Sequence, residues 1–100
     1  MNANDYNFEK ISMAVRILAT NTDSLQRRLE HAYYALSTVR EHDLQRSEQG
    51  RMLSEIRETI TAVDGKDENG KVQASLGKMS DDAARELAGK FLDLFTSILR

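Results

Sequence analysis

The stretch FEKISMAVRILATNTDSLQRRLEHAYYALSTV, residues 8–39, repeats apolar positions in steps of three and four without a slip: Phe8, Ile11, Val15, Leu18, Thr22, Leu25, Leu29, Ala32, Leu36, Val39. With Phe8 at heptad position a, the a series is Phe8, Val15, Thr22, Leu29, Leu36, and the d series is Ile11, Leu18, Leu25, Ala32, Val39. Such spacing is the main sequence signal for a helix with one buried face. Within it stand Thr20, Asn21, Thr22, Asp23 and Ser24, all poor helix formers and good cappers, costing together about 2–3 kcal/mol relative to alanine. A turn usually resets the hydrophobic phase, yet the phase is the same on both sides of Thr22. The unbroken phase predicts one helix over about residues 5–42, roughly 55 Å long at ~1.5 Å per residue. Asn4 or Asp5 would be its N-cap, and a break at 20–24 is the competing reading.

The positions flanking this seam say what the helix packs against. A parallel two-stranded coiled coil wants Glu, Lys or Arg at e and g. Here g holds Ala14, Asn21, Arg28 and Ala35, and e holds Ser12, Ala19, Gln26 and Tyr33. Small and apolar flanks widen the seam, as in a helix of a three- or four-helix bundle. Tyr33 is expected to pack against the last helix, with Tyr34 half exposed.

Downstream, residues 40–51 carry one large apolar side chain, Leu44. Met52, Leu53, Ile56, Ile60 and Val63 then resume helical spacing in a different phase, which predicts a turn near 43–50 and a shorter second helix over about 50–63. Asp64-Gly65 would close it, with glycine at the left-handed cap. Residues 64–79 read as a polar connection. Ser80-Asp81-Asp82 suits the start of a last helix over about 80–99, where a hydroxyl caps amides and carboxylates face the positive dipole end. Its stripe, Ala84, Leu87, Ala88, Phe91, Leu92, Leu94, Phe95, Ile98 and Leu99, covers well over a third of the circumference and calls for more than one neighbour.

The fold class is therefore all-α: a small helical bundle with a long heptad-patterned first helix, a shorter second helix and an amphipathic C-terminal helix, all in one domain over residues 1–100. Proline is absent, so helix is interrupted nowhere by that residue. Forty percent hydrophobic and thirty percent charged residues place the chain among ordinary folded proteins. A net charge of -2 from 14 basic and 16 acidic residues spread along the chain advertises no polyanionic partner. With no cysteine there is neither disulfide framework nor thiol chemistry. The N-terminus lacks an apolar signal core and the longest apolar tract, Phe91 to Leu99, is too short for a bilayer, so no membrane association and a cytoplasmic location are expected.

One segment imitates a chemical motif. VDGKDENGKVQ, residues 63–73, aligns with an EF-hand loop if Gly70 takes position 6, placing Asp67 at 3, Asn69 at 5 and Val72 at 8. The same frame puts Gly65 at 1 and Leu76 at 12, where the essential first and bidentate last ligands belong. An exposed helix connection is the expected structure. A small hairpin pairing 59–63 with 72–74 around Asn69-Gly70 is the alternative.

Other chemistry is sparse. His31 and His42 are eleven residues apart, on the order of 16 Å along one helix, and cannot share a metal. No metal or cofactor site is expected. Glu55 with Glu58, and Asp82 with Glu86, lie a turn apart on polar faces where solvation explains them. The helical outline is similar to that of small chorismate-type mutases. That resemblance implies a long first helix lending arginines to a dicarboxylate, for which Arg16, Arg28 and Arg40, each twelve apart, are the candidates. No motif beyond the outline supports it. Arg27, Arg28, Arg40, Arg46, Arg51 and Arg57 raise the alternative of a dimeric helical nucleic-acid-binding regulator. Glu30, Glu41, Asp43, Glu48 and Glu55 interleave them and leave a charge of about +1, weaker than nucleic-acid surfaces usually hold.

The favoured reading is a non-enzymatic protein–protein interaction or oligomerisation module, an adaptor, accessory or regulatory subunit acting through helix packing. Its partners would be a second copy in a homodimer and an unidentified protein. The seam residues are Leu18, Leu25, Leu29, Tyr33, Leu36, Phe91, Leu94, Phe95 and Ile98.

Overall fold

A computed structural model describes residues 3–99 of the chain. It is all helical: α1 (Ala3–Thr20), α2 (Leu25–Ala35), α3 (Ser47–Ile60), α4 (Glu68–Gly77) and α5 (Asp81–Leu99), with one 3₁₀ turn at Glu41–Asp43. Among the described residues there is no strand.

The single helix over 5–42 does not form. The polar quintet breaks it, and three of its capping side chains find local work. Thr20 Oγ1 donates to the Arg16 carbonyl at 2.8 Å, Asn21 Oδ1 accepts from the Asp23 amide at 2.8 Å, and Ser24 Oγ accepts from the Arg27 amide at 3.2 Å as the N-cap of α2. From α2, Arg28 Nη1 reaches back to the Leu18 carbonyl at 2.7 Å, satisfying an orphan acceptor at the end of α1. The heptad phase survives because α2 folds back against α1, so that both halves of the seam face one interior. The start of α1 meets the far end of this hairpin, where the Tyr6 and Thr38 hydroxyls are 2.5 Å apart. Helix α1 already includes Ala3, so Asn4 and Asp5 lie inside the helix rather than at its cap.

Helix α2 ends at Ala35, and the chain over residues 36–46 is not helical apart from the 3₁₀ turn. Leu36 and Val39 are nonetheless fully buried there. Arg57 of α3 fixes this segment: Nη1 meets Glu41 Oε1 at 2.7 Å, and Nη2 donates to the carbonyls of Leu36 and Val39. Glu41 also accepts from Ser54. Partial burial pushes the Glu41 carboxyl up, but its own backbone amide, Arg57 and Ser54 outweigh that and hold it below the usual carboxylate range. A Cβ on Gly50 would stand 3.0 Å from the Glu41 carbonyl oxygen, so the turn lies directly on α3. Gly50 is thus inside the second apolar helix, which starts at Ser47, and does not precede it.

That helix stops at Ile60, and no described glycine has positive φ, so Gly65 is not the left-handed cap expected of it. Its role is close approach: a Cβ there would come within 2.5 Å of the Gly70 carbonyl carbon. The segment 64–79 is not merely a connection, because α4 occupies most of it. Asp67 is the N-cap, its Oδ1 accepting from the Gly70 amide at 2.8 Å, and Asn69 and Gly70 sit in the first turn. The hairpin is excluded, since Thr59-Ile60 closes α3 and Val72–Ala74 lies within α4. Ser80 caps α5 through the Ala83 amide at 3.1 Å, with Asp81 and Asp82 in the first turn as the sequence predicts.

One core cluster unites all five helices: Ile11 and Ala14 from α1, Leu29, Ala32 and Tyr33 from α2, Leu53, Ile56 and Ile60 from α3, Val72 and Leu76 from α4, and Ala84, Leu87, Phe91 and Leu94 from α5. Fully burying a side chain such as Phe91 or Leu94 contributes about 1.5–3 kcal/mol. Helix α5 contacts α1, α2 and α3, which is why its apolar stripe is so wide. A polar tie closes its C-terminal end, where Arg46 Nη2 (2.7 Å) and Gln49 Nε2 (3.2 Å) donate to the Ser97 carbonyl.

Candidate functional site

The predicted seam residues do not form one exposed seam. Leu29, Leu36 and Leu94 are 0% exposed, Phe91 1% and Tyr33 3%, so these five belong to the chain's own core. Leu18, Leu25, Phe95 and Ile98 are half-buried and pack against it. The hairpin turns the heptad face inward and supplies intramolecularly the partner that a long helix would have sought. Tyr33 packs inside and donates from its hydroxyl to Glu68 of α4 at 3.2 Å; burial first, then Glu68, push this phenol up. Tyr34 is half-buried, with its hydroxyl on Glu30 at 3.4 Å.

Apolar surface remains elsewhere. Among the described residues the exposed large hydrophobic side chains are Phe8 (40%), Met13 (44%), Leu92 (53%) and Leu99 (58%), all on α1 and α5. Phe8, Val15 and Ala19 follow helical spacing on α1, as do Ala88, Leu92, Phe95 and Leu99 on α5. The helices run antiparallel: the Phe8 and Phe95 rings lie 6.1 Å apart at one end, and Val15, Leu18, Ala19, Ala88, Gly89 and Leu92 line a hollow of about 280 Å³ towards the other. The lining of this hollow is almost wholly apolar. A second depression beside it runs along Glu9, Met13 and Arg16 of α1. Phe95 and Leu18 are among the predicted seam residues, whereas Phe8 and Val15 (heptad a), Ala19 (heptad e) and Ala88, Leu92 and Leu99 (the α5 stripe) are patterned in the sequence but lie outside that set. The signal was present in the excess width of the α5 stripe, which exceeds what the inward face consumes.

Polar clefts carry less chemistry. One of about 350 Å³ between α2 and α4 is lined by Gln26, Arg27, Glu30, Gln73, Leu76, Gly77 and Met79. Its polar groups engage one another: Gln26 Nε2 donates to Asp81 at 3.1 Å, and Glu30 accepts from Tyr34 and Gln73. Ser75 and Lys78 have Ser-x-x-Lys spacing, but Ser75 is 4% exposed with its Oγ accepting from the Val63 amide at 2.9 Å, while Lys78 is exposed. Among the described residues no three or more His, Asp or Glu side chains converge as a metal site. His31 lies on α2, and His42 stands in the 3₁₀ turn beside Asp43 at 3.5 Å.

The arginines divide between surface and scaffold. Arg28, Arg46 and Arg57 spend donors on backbone carbonyls of other segments. The premise that Arg16, Arg28 and Arg40 line one helix disappears with the break, since they belong to α1, α2 and the following loop. No described helix is long and apolar enough to cross a membrane.

Comparison of the chain with models of known protein families, with curated proteins and with solved structures finds no match.

Proposed function

We propose that the chain is a non-enzymatic interaction module, an adaptor, accessory or regulatory subunit that binds protein through helix packing on the outer face of α1 and α5. The observation that carries this reading is one apolar face, with exposed Leu92 bordering an apolar hollow and exposed Phe8 and Leu99 towards the other end, on helices whose inner faces are already packed. Contiguous apolar surface rimmed by polar residues marks an interaction site more often than scattered single side chains do. Half of the mid-chain arginines are engaged in holding the fold together, which weighs against the nucleic-acid alternative.

Affinity capture of the tagged chain from its native cells, compared between the native sequence and Leu92→Glu, tests the reading. Leu92 is exposed, so the charge leaves the fold intact and circular dichroism unchanged. Partners, untagged copies of the chain included, are expected to be lost with the variant. An identical partner set for both proteins would overturn the proposal.

A further inference from the structure

We infer that the occupant of the α1/α5 face is a second copy of this chain, docked with a two-fold axis in the interface and perpendicular to the helices, so that α1 lies antiparallel on α1 of its partner and α5 on α5. This rests on the interaction reading above and names its partner.

Two independent polarities of the face favour this arrangement. The first is shape. Bulk gathers at one end, where Phe8, Phe95 and Leu99 stand, and space at the other, where Val15, Ala19, Ala88 and Gly89 surround the hollow. A Cβ on Gly89 would meet nothing within 4 Å, so the end of the hollow is open to an incoming side chain. Reversing a second copy end for end sets the bulk of each on the space of the other, and does so twice.

The second polarity is charge. Glu9 and Arg16 are seven residues apart, two helical turns, both exposed and both bordering the same depression on the flank of α1 with Met13 between them. An antiparallel α1 pair centred between these residues brings each Glu9 to the Arg16 of the other copy, giving two identical ion pairs at the rim. On α5, Arg85 is paired with Asp82 at 3.0 Å and Glu86 is its neighbour, so that helix adds no net positive charge at this end and the polarity belongs to α1. The other symmetric docking has its axis along the helices. It stacks bulk on bulk and levels Glu9 with Asp93 of the opposite copy, which opposes like charges.

The experiment is sedimentation or light scattering of the purified chain over a range of concentrations, on five proteins. The native chain is expected at the mass of two copies, and Leu92→Glu at the mass of one, with association weakened on the order of a hundredfold or more. Glu9→Arg and Arg16→Glu are each expected to weaken the dimer roughly tenfold, and the double swap to restore it, because the pair is only inverted. The chain has no cysteine, so an introduced one is unique. Leu92→Cys, close to the axis, is expected to form a disulfide with its own copy, and Leu99→Cys is not. A native chain that stays single at every concentration overturns the inference and leaves the interaction reading to the capture experiment. A dimer indifferent to Leu92→Glu overturns both. Self-linking of Leu99→Cys, or a double swap that does not recover, overturns the antiparallel arrangement.

Discussion

The two connections flanking α2 solve the same problem, ending a helix, by opposite means. Residues 21–24 are exposed or half-exposed and are held by their own side chains, Asn21 on Asp23 and Ser24 on Arg27. Residues 36–46 bury Leu36 and Val39 completely and are held from outside, by Arg57 reaching across from α3. The first connection is written in local sequence and the second in tertiary structure. Its hydrogen-bonding partner lies 21 positions away from Leu36 and 18 from Val39.

The sharpest test of that contrast is removal of the distant clamp. Arg57→Ala takes the guanidinium from the Leu36 and Val39 carbonyls and the Glu41 carboxylate, leaving Leu36 with the Val39 amide and Glu41 with Ser54, and loss of this clamp on partly buried groups is expected to destabilise the chain by about 2–4 kcal/mol. Urea denaturation measures the loss, and amide exchange is expected to accelerate first in residues 36–46. A variant within about 0.5 kcal/mol of the native chain would mean that burial of Leu36 and Val39 alone fixes the segment. The local connection is expected to give a smaller effect. Ser24→Ala removes one cap hydrogen bond and lowers stability by about 1 kcal/mol, read as a shift in urea midpoint at constant slope. If it equalled Arg57→Ala, the contrast between local and distant encoding would fail.

The same contrast explains how much of the molecule was legible in its sequence. All-helical architecture, the Ser80-Asp81-Asp82 start of α5 and the inward stripe of that helix follow from periodicity and capping alone. The break after Thr20 was visible in composition, but the preserved phase spoke against it, because a hairpin that folds back on one core keeps both halves in register. Helix α4 was hidden for a different reason. Asp67, Asn69 and Gly70 are turn residues by habit, and their spacing does not reveal that Asp67 caps a helix whose first turn Gly65 approaches closely. The outer face was missed because heptad arithmetic assigns seam positions without saying which seam the chain itself will fill. Leu29 and Leu36 went inward, and Leu92 and Leu99 were left outside.

The least of these effects concerns Glu41, where the two modes of encoding meet. Its carboxylate lies at the end of the clamped segment and is only partly shielded, with 37% of the side chain exposed against 20% for Arg57. Because Arg57, Ser54 and its own amide favour the charged form, its native pKa lies below that of the unfolded chain. The stabilisation is then fully present above the usual carboxylate value of about 4.3 and is lost as pH falls through the lower native value. Glu41→Gln is expected to reduce stability modestly at neutral pH, and the gap between variant and native chain is expected to close as pH drops below the carboxylate range. Urea midpoints at neutral and acid pH measure it. A gap that persists unchanged in acid would show that Glu41 holds the segment by its shape and neutral hydrogen bonds, and that the distant clamp works on the carbonyls of Leu36 and Val39 alone.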